Sequence, residues 1–274
     1  AELIREIREE TGREVSYAVV SEAGASVYSA SPLAAEEFPD FDVAERSAVS
    51  IARRLQDPLS ELIKIDPKSI GVGQYQHDMD KKRLDFVLAG VLEDCVNSVG
   101  VDANTASVSL LRYVAGLNAG VAKNIVAYRE QNGKFTNRKQ ILNVPKLGEK
   151  AFTQCAGFLR IADGDNILDN TAVHPESYEA AEKLLKLFGY TEEDVKAGKI
   201  ADLSEKVKAY GEARAAEETG LDVPTLKDVV SELIKPGRDV RDSLPKPVLR
   251  SDVMDIKDLV SGMELVGTVR NVVD

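Results

Sequence analysis

The residue types that could do chemistry cluster in two short loops. The first reads Gly116-Leu117-Asn118-Ala119-Gly120, with Lys123 just beyond, and the second reads Lys146-Leu147-Gly148, with Lys150 just beyond. Gly and Asn tolerate positive φ best, so each loop can reverse the chain tightly. Leu117 and Leu147 lie between turn positions, where an apolar side chain can tuck between two helices. The helix that follows each loop starts with backbone N–H groups that have no intrahelical partner. Such amides form a ready anion site. Lys123 and Lys150 add charge within a turn of it. The chemistry is the holding of a phosphate diester, a contact that reads no base.

Charge distribution agrees with that chemistry although total charge does not. The 274 residues carry a formal net charge of −11. Residues 103–162 nevertheless hold nine basic side chains (Arg112, Lys123, Arg129, Lys134, Arg138, Lys139, Lys146, Lys150 and Arg160) against Glu130 and Glu149. A cationic island of +7 sits in a body of −18, which favours a local anion and discourages indiscriminate sticking. By charge alone, a solvated face without a ligand would look the same.

The elements that must position the loops are helices. Around the first loop the pattern predicts helices over residues 105–114 and 119–131, the second ending at Gly133. Around the second it predicts residues 137–143 and 149–157. Upstream, a helix over residues 1–11 stops at Gly12, and strand-like runs at 15–20 and 26–31 flank a turn with Gly24. Helices over 43–56 and 59–65 complete a partial α/β region. From Leu84 strand signals vanish: Leu84, Val87, Leu88, Val91, Leu92, Cys95 and Val99 fall on one helical face, a helix linking the α/β part to an all-helical part. Downstream, Pro175 opens a helix with Tyr178, Ala181, Leu184, Leu185 and Phe188 on one face and Gly189 as its stop. Thr225 and Asp228 read as a capping box for a helix closed by Pro236 and Gly237. Residues 235–249 read as a linker, in which Arg238, Arg241 and Lys246 either line a nucleic-acid path or are merely solvated.

The loops resemble the helix-hairpin-helix family, whose core is hydrophobic-hydrophobic-Gly-hydrophobic-Gly followed by xxxA. VAGLNAGVA supplies Gly116, Leu117 and Ala122, with Asn118 in the second glycine's place; NVPKLGEKAF supplies Leu147 and Gly148, with Lys146 in the first glycine's place. Two copies within about 60 residues make a more specific match than any αα-hairpin with its single glycine.

The resemblance widens along the chain. IGVGQYQHDMD, VNSVGVDANTASVSLLRYVAGL and LDNTAVHPESYEAAEKLL together resemble the Tex family of bacterial transcription accessory proteins, related to a eukaryotic elongation factor and histone chaperone. That resemblance implies part of a YqgF, RNase H-like domain over 1–80 and a linking helix over 81–102. Tandem helix-hairpin-helix repeats would follow over 103–162, then a further helical domain and linker over 163–250. Residues 251–274 would begin an OB-fold RNA-binding module, SGMELVGTVRNVVD resembling its first strand. The implied fold class is mainly α with a partial α/β N-terminal region. The implied function is a nucleic-acid-binding scaffold in transcription, in contact with RNA or DNA and with RNA polymerase or other transcription proteins. The natural protein is expected to extend beyond both ends of this sequence.

A competing reading is a protein-docking module for the transcription machinery, and a third is a resolvase-type nuclease. The nuclease reading follows from the YqgF resemblance, because two-metal phosphodiester cleavage needs converging carboxylates. Glu22 and Asp78 are the candidate acids. Yet Glu22 also starts a turn, Asp78 can cap a helix, and Asp66 before Pro67 is an ordinary helix start. The chain is therefore expected to be no enzyme and to need no cofactor. His77 and His174 lack metal-ligand spacing. Cys95 and Cys155 read as buried free thiols. No apolar run approaches a membrane span, and a cytosolic monomer is expected.

Overall fold

A computed structural model describes residues 2–71, 73, 75–237, 249 and 259–264. The chain divides into two compact units, residues 1–58 with 244–274 and residues 59–243. The first contains α1 (Glu2–Thr11), α2 (Ala25–Ser29), α3 (Pro32–Glu37) and α4 (Val43–Gln56). α4 begins where its local chemistry dictates. The Asp42 carboxylate accepts from the Glu45 N–H at 2.8 Å, and the Glu45 carboxylate accepts from the Asp42 N–H at 2.8 Å. This reciprocal box satisfies two amides that a helix start leaves over.

Both strands expected in this unit are absent. Residues 15–20 show one bridge residue, Tyr17, and no strand, and the run at 26–31 lies mostly within α2. Val and Tyr favour strands locally, but burial decides here. Ala25, Tyr28 and Ser29 are buried while Val27 is exposed, a helical spacing that alternation cannot give. The Tyr28 hydroxyl donates to Glu37 at 2.5 Å and fixes the turn against α3.

In the second unit α5 (Pro58–Leu62) and α6 (Pro67–Ile70) precede the long α7 (Lys81–Val99). The expected apolar face of α7 is split. Leu84, Leu88, Leu92 and Val99 are half-buried and Val96 is fully buried, whereas Val87, Val91 and Cys95 are exposed. Cys95 is thus not the buried thiol expected; Cys155 is, and burial pushes its thiol up to about 12. Next come β1 (Val101–Asp102), α8 (Val108–Leu111), α9 (Ala119–Asn132), a 3-10 helix over Arg138–Asn143, α10 (Glu149–Cys155) and β2 (Leu159–Arg160). β1 and β2 pair in parallel, Val101 opposite Leu159 and Asp102 opposite Arg160. The strands that do form therefore lie where strand signals had vanished, and they tie the start of the hairpin pair to its end.

Leu111, Ile125, Phe135, Ile141, Leu159 and Ile161 form a continuous core for this pair, with Tyr128 stacked on Phe135 at 5.3 Å. A second core follows, built from α11 (Tyr178–Leu187), α12 (Glu192–Lys196), α13 (Leu203–Tyr210), α14 (Glu212–Thr219) and α15 (Val223–Ile234). α11 has the expected buried face and Gly189 stop. α15 starts earlier than expected, capped by Asp222 rather than by Thr225 with Asp228. The expected linker with Arg238, Arg241 and Lys246, and the expected OB strand, lie almost wholly outside the described residues. Among the described residues no helix is long and apolar enough to cross a membrane.

Candidate nucleic-acid interface

Both loops adopt one backbone path. In the first, Gly116 is left-handed (φ 80), and Asn118 is extended (φ −118, ψ 169) as the N-cap of α9. In the second, Lys146 is left-handed (φ 67), and Gly148 is extended (φ −88, ψ 169) as the N-cap of α10. The Leu117 and Leu147 amides donate to the Val114 and Val144 carbonyls at 3.0 and 3.1 Å, and both leucines pack on the shared core. Lys146 is the only non-glycine with positive φ among the described residues. A left-handed turn costs an L-residue about 1–2 kcal/mol. The fold imposes this turn even where the sequence lacks the glycine.

The hairpins also brace each other reciprocally. A Cβ on Gly116 would sit 2.6 Å from Gln154 Cβ and 3.1 Å from the Ala151 carbonyl oxygen, so α10 presses directly on the first loop. In return Asn124 of α9 donates from Nδ2 to the Pro145 carbonyl at 2.7 Å, holding the second loop. The structure thereby brings the two loops into one packed pair.

Their amides differ. Asn118 Oδ1 accepts from the Gly120 and Val121 N–H groups, both at 3.0 Å, so a neutral side chain already caps part of the first site. Gly148 offers no side-chain cap, leaving the second site open, although Glu149 stands in its first turn. Ala119 and Gly120 are exposed at the start of α9, and Lys123, Lys146 and Lys150 are exposed around the two loops.

Eight of the nine side chains of the cationic island separate into two populations. Arg112, Lys134 and Lys139 are exposed with those three lysines. Arg129 is half-buried and donates to the Ala103 carbonyl at 2.8 Å, its pKa lowered by burial. Arg138 is 1% exposed and spends its donors on the chain itself. Its Nε donates to the Leu159 carbonyl at 2.7 Å, Nη1 to the Val173 carbonyl and the Tyr178 hydroxyl at 2.7 Å each, and Nη2 to the Thr171 carbonyl. Its backbone N–H meets Asp169 Oδ2, and Tyr178 donates to Asp169 Oδ1. His174 adds a second link: its Nδ1 accepts from the Glu176 N–H, so Nε2 carries the proton donated to the Thr153 carbonyl at 2.9 Å. Among the described residues no three His, Cys, Asp or Glu side chains converge.

Residues 96–160 match the family described as "Helix-hairpin-helix motif", residues 166–241 the family "HHH domain", and residues 1–56 the "Tex protein YqgF-like domain". The chain is 54% identical over 271 residues to "Transcriptional accessory protein Tex" of Neisseria gonorrhoeae, covering 99% of this chain and 35% of that protein. The chain is a relative of Tex. A Bacillus subtilis protein, "Uncharacterized protein YdcI", is 56% identical over 96% of this chain and 36% of its own length. The human "S1 RNA-binding domain-containing protein 1" is 40% identical over 94% of this chain and 31% of its own length. The chain thus spans about a third of the curated relatives it matches. The Tex resemblance leaves one feature unread in the sequence: residues 166–241 are a second helix-hairpin-helix domain. The signal was available in Gly189-Tyr190-Thr191 and Gly220-Leu221-Asp222, which repeat the left-handed turn, the apolar residue and the N-cap.

Proposed function

We propose that this chain is the phosphate-holding scaffold of a transcription accessory protein, contacting nucleic acid through the paired loops at Gly116–Gly120 and Lys146–Gly148 with Lys123 and Lys150 beside them. One observation carries the reading: the second loop keeps the left-handed turn of the first at a lysine, against its intrinsic cost. Backbone strain that persists is over-determined by its surroundings and concentrates at functional positions. The names of the relatives, one a transcriptional accessory protein and one an S1 RNA-binding protein, point the same way. Catalysis has no part in this reading.

The test is fluorescence anisotropy of the chain with labelled single-stranded RNA, single-stranded DNA and duplex DNA. Lys123→Glu with Lys150→Glu should abolish binding and leave the melting temperature unchanged. A clamp on about three phosphates should lose roughly 40-fold in duplex affinity between ~50 and ~200 mM salt. Unchanged binding by the double variant would rule the clamp out.

The exposed edge of α7 favours a second reading, a protein-docking module. Phe86 is 80% exposed, with Val87 and Val91 beside it on the same helix. Binding of an apolar partner there would be nearly indifferent to salt.

A further inference from the structure

Among the described residues of the second unit the hairpin turn occurs four times, but its helix-start amides are treated in two ways. Gly189 (φ 74), Tyr190 and Thr191 lead into α12, and Gly220 (φ 77), Leu221 and Asp222 lead into α15. Tyr190 and Leu221 pack on the second core as Leu117 and Leu147 pack on the first. Thr191 and Asp222 are extended (ψ 165 and 162), like Asn118 and Gly148.

The difference is anionic. At the third hairpin Asp194 Oδ2 accepts from the Thr191 N–H at 3.0 Å and from its hydroxyl at 2.7 Å, while Thr191 Oγ1 accepts from the Asp194 N–H at 3.2 Å. Glu192 and Glu193 complete a first turn of three carboxylates. At the fourth, Asp222 Oδ1 accepts from the Thr225 N–H at 2.7 Å, and Pro224 between them has no N–H to offer. Hydrogen bonds from Thr191 and Thr225 hold the Asp194 and Asp222 carboxyls below the usual carboxylate range, so both are charged at neutral pH. An incoming phosphate would meet a fixed negative charge at each turn: the Asp222 carboxylate sits on the Thr225 N–H, and the Asp194 carboxylate stands beside its own N–H, which Thr191 Oγ1 already takes. At the first pair the cap is a neutral amide or nothing, and Glu149 is flanked by Lys146 and Lys150.

We infer that the second hairpin pair is closed to phosphate, because each of its turns already holds one of the chain's own carboxylates, Asp194 or Asp222, hydrogen-bonded at the helix start, so that nucleic acid meets this unit through the first pair alone. The assignment to the first pair rests on the phosphate reading above. The second pair then works as a brace: Arg138 reaches from the first pair into the carbonyls of Thr171 and Val173, and Asp169 and Tyr178 complete the lock.

Amide resonances of the isotope-labelled chain, titrated with inorganic phosphate and with a short single-stranded oligonucleotide, test this. In the unaltered chain saturable shifts are expected at residues 148–151 and none at 192–194, 223 or 225. Asp222→Gly combined with Pro224→Ala removes the internal anion and restores the missing N–H; residues 223–225 should then shift, with a cooperative melt and native amide dispersion elsewhere showing that the variant folds. Shifts at 192–194 or 225 in the unaltered chain would overturn the closure, as would silence at 223–225 in the folded variant. Silence at 148–151 would overturn the phosphate reading of the first pair and the assignment that rests on it. The closure of the second pair would still be decided by the variant.

Discussion

Arg138 shows how far a side chain's role depends on residues remote in sequence. Its type and its place in a basic run assign it to the cationic island, yet it is the largest fully buried side chain among the described residues. The groups that claim it, Leu159, Asp169, Thr171, Val173 and Tyr178, are too distant in sequence for local reasoning to connect them. A planar fork with five donors fits three carbonyls and a hydroxyl, which an ammonium does not. Arg138→Met should cost about 3–5 kcal/mol, because it leaves the buried carbonyls of Leu159, Thr171 and Val173 without their donors. Arg138→Lys should recover only part of that loss. Urea denaturation of the two variants measures both; a loss under about 1 kcal/mol for Arg138→Met would mean that the network is not holding the two cores together. Cys95 failed as a buried thiol for the opposite reason: its helical face is correct, but only one edge of that face has neighbours.

At the scale of elements, the hairpins were the most legible part of the chain, because a tight reversal limits residue types at fixed positions. Gly116 takes the left-handed turn that its type suggests and the two leucines pack inward as expected, whereas Asn118 and Gly148 are extended N-caps, Gly120 lies in the first turn of α9, and the second left-handed position falls to Lys146. The 26–31 run was illegible because its helix depends on burying Tyr28, which no local propensity reveals. The turns can be tested in opposite directions. Lys146→Gly relieves a left-handed strain of about 1–2 kcal/mol and loosens the unfolded chain by somewhat less, so it should stabilise by roughly 0.5–1 kcal/mol. Gly116→Ala combines the same strain with a Cβ pressed into Gln154 and should destabilise by roughly 2–4 kcal/mol. Thermal melts of the two variants should therefore shift in opposite senses. Lys146→Gly also removes a charge, so weaker nucleic-acid binding by a more stable protein would separate the lysine's role in binding from its role in the fold.

Across the whole molecule, the excess of acid outside residues 103–162 has a structural use as well as an electrostatic one. Several carboxylates are helix caps, and Asp194, Glu218 and Asp222 are held below their ordinary values by Thr191, Tyr210 and Thr225 respectively. A carboxylate depressed on folding adds stability that is fully present above the unfolded value near 4 and is lost as pH falls through the lower folded value. The melting temperature should accordingly fall below about pH 4. Asn caps about as well as Asp, so Asp222→Asn should melt like the parent at pH 7 but fall less steeply between about pH 5 and pH 3. Equal slopes would mean that this carboxylate carries no charge-dependent stability.

The two-residue parallel ladder that joins Val101 to Leu159 also has a consequence for the order of events at synthesis. Its partners stand at opposite ends of the hairpin pair, so the ladder is a late contact: chain entropy must be lost over the whole intervening loop before it forms. While the ribosome is still making residues before 159, α8 and α9 can form but the ring cannot close. The nascent pair stays open, with Val101 lacking the Phe158 carbonyl that receives its N–H in the finished fold, until its last strand emerges.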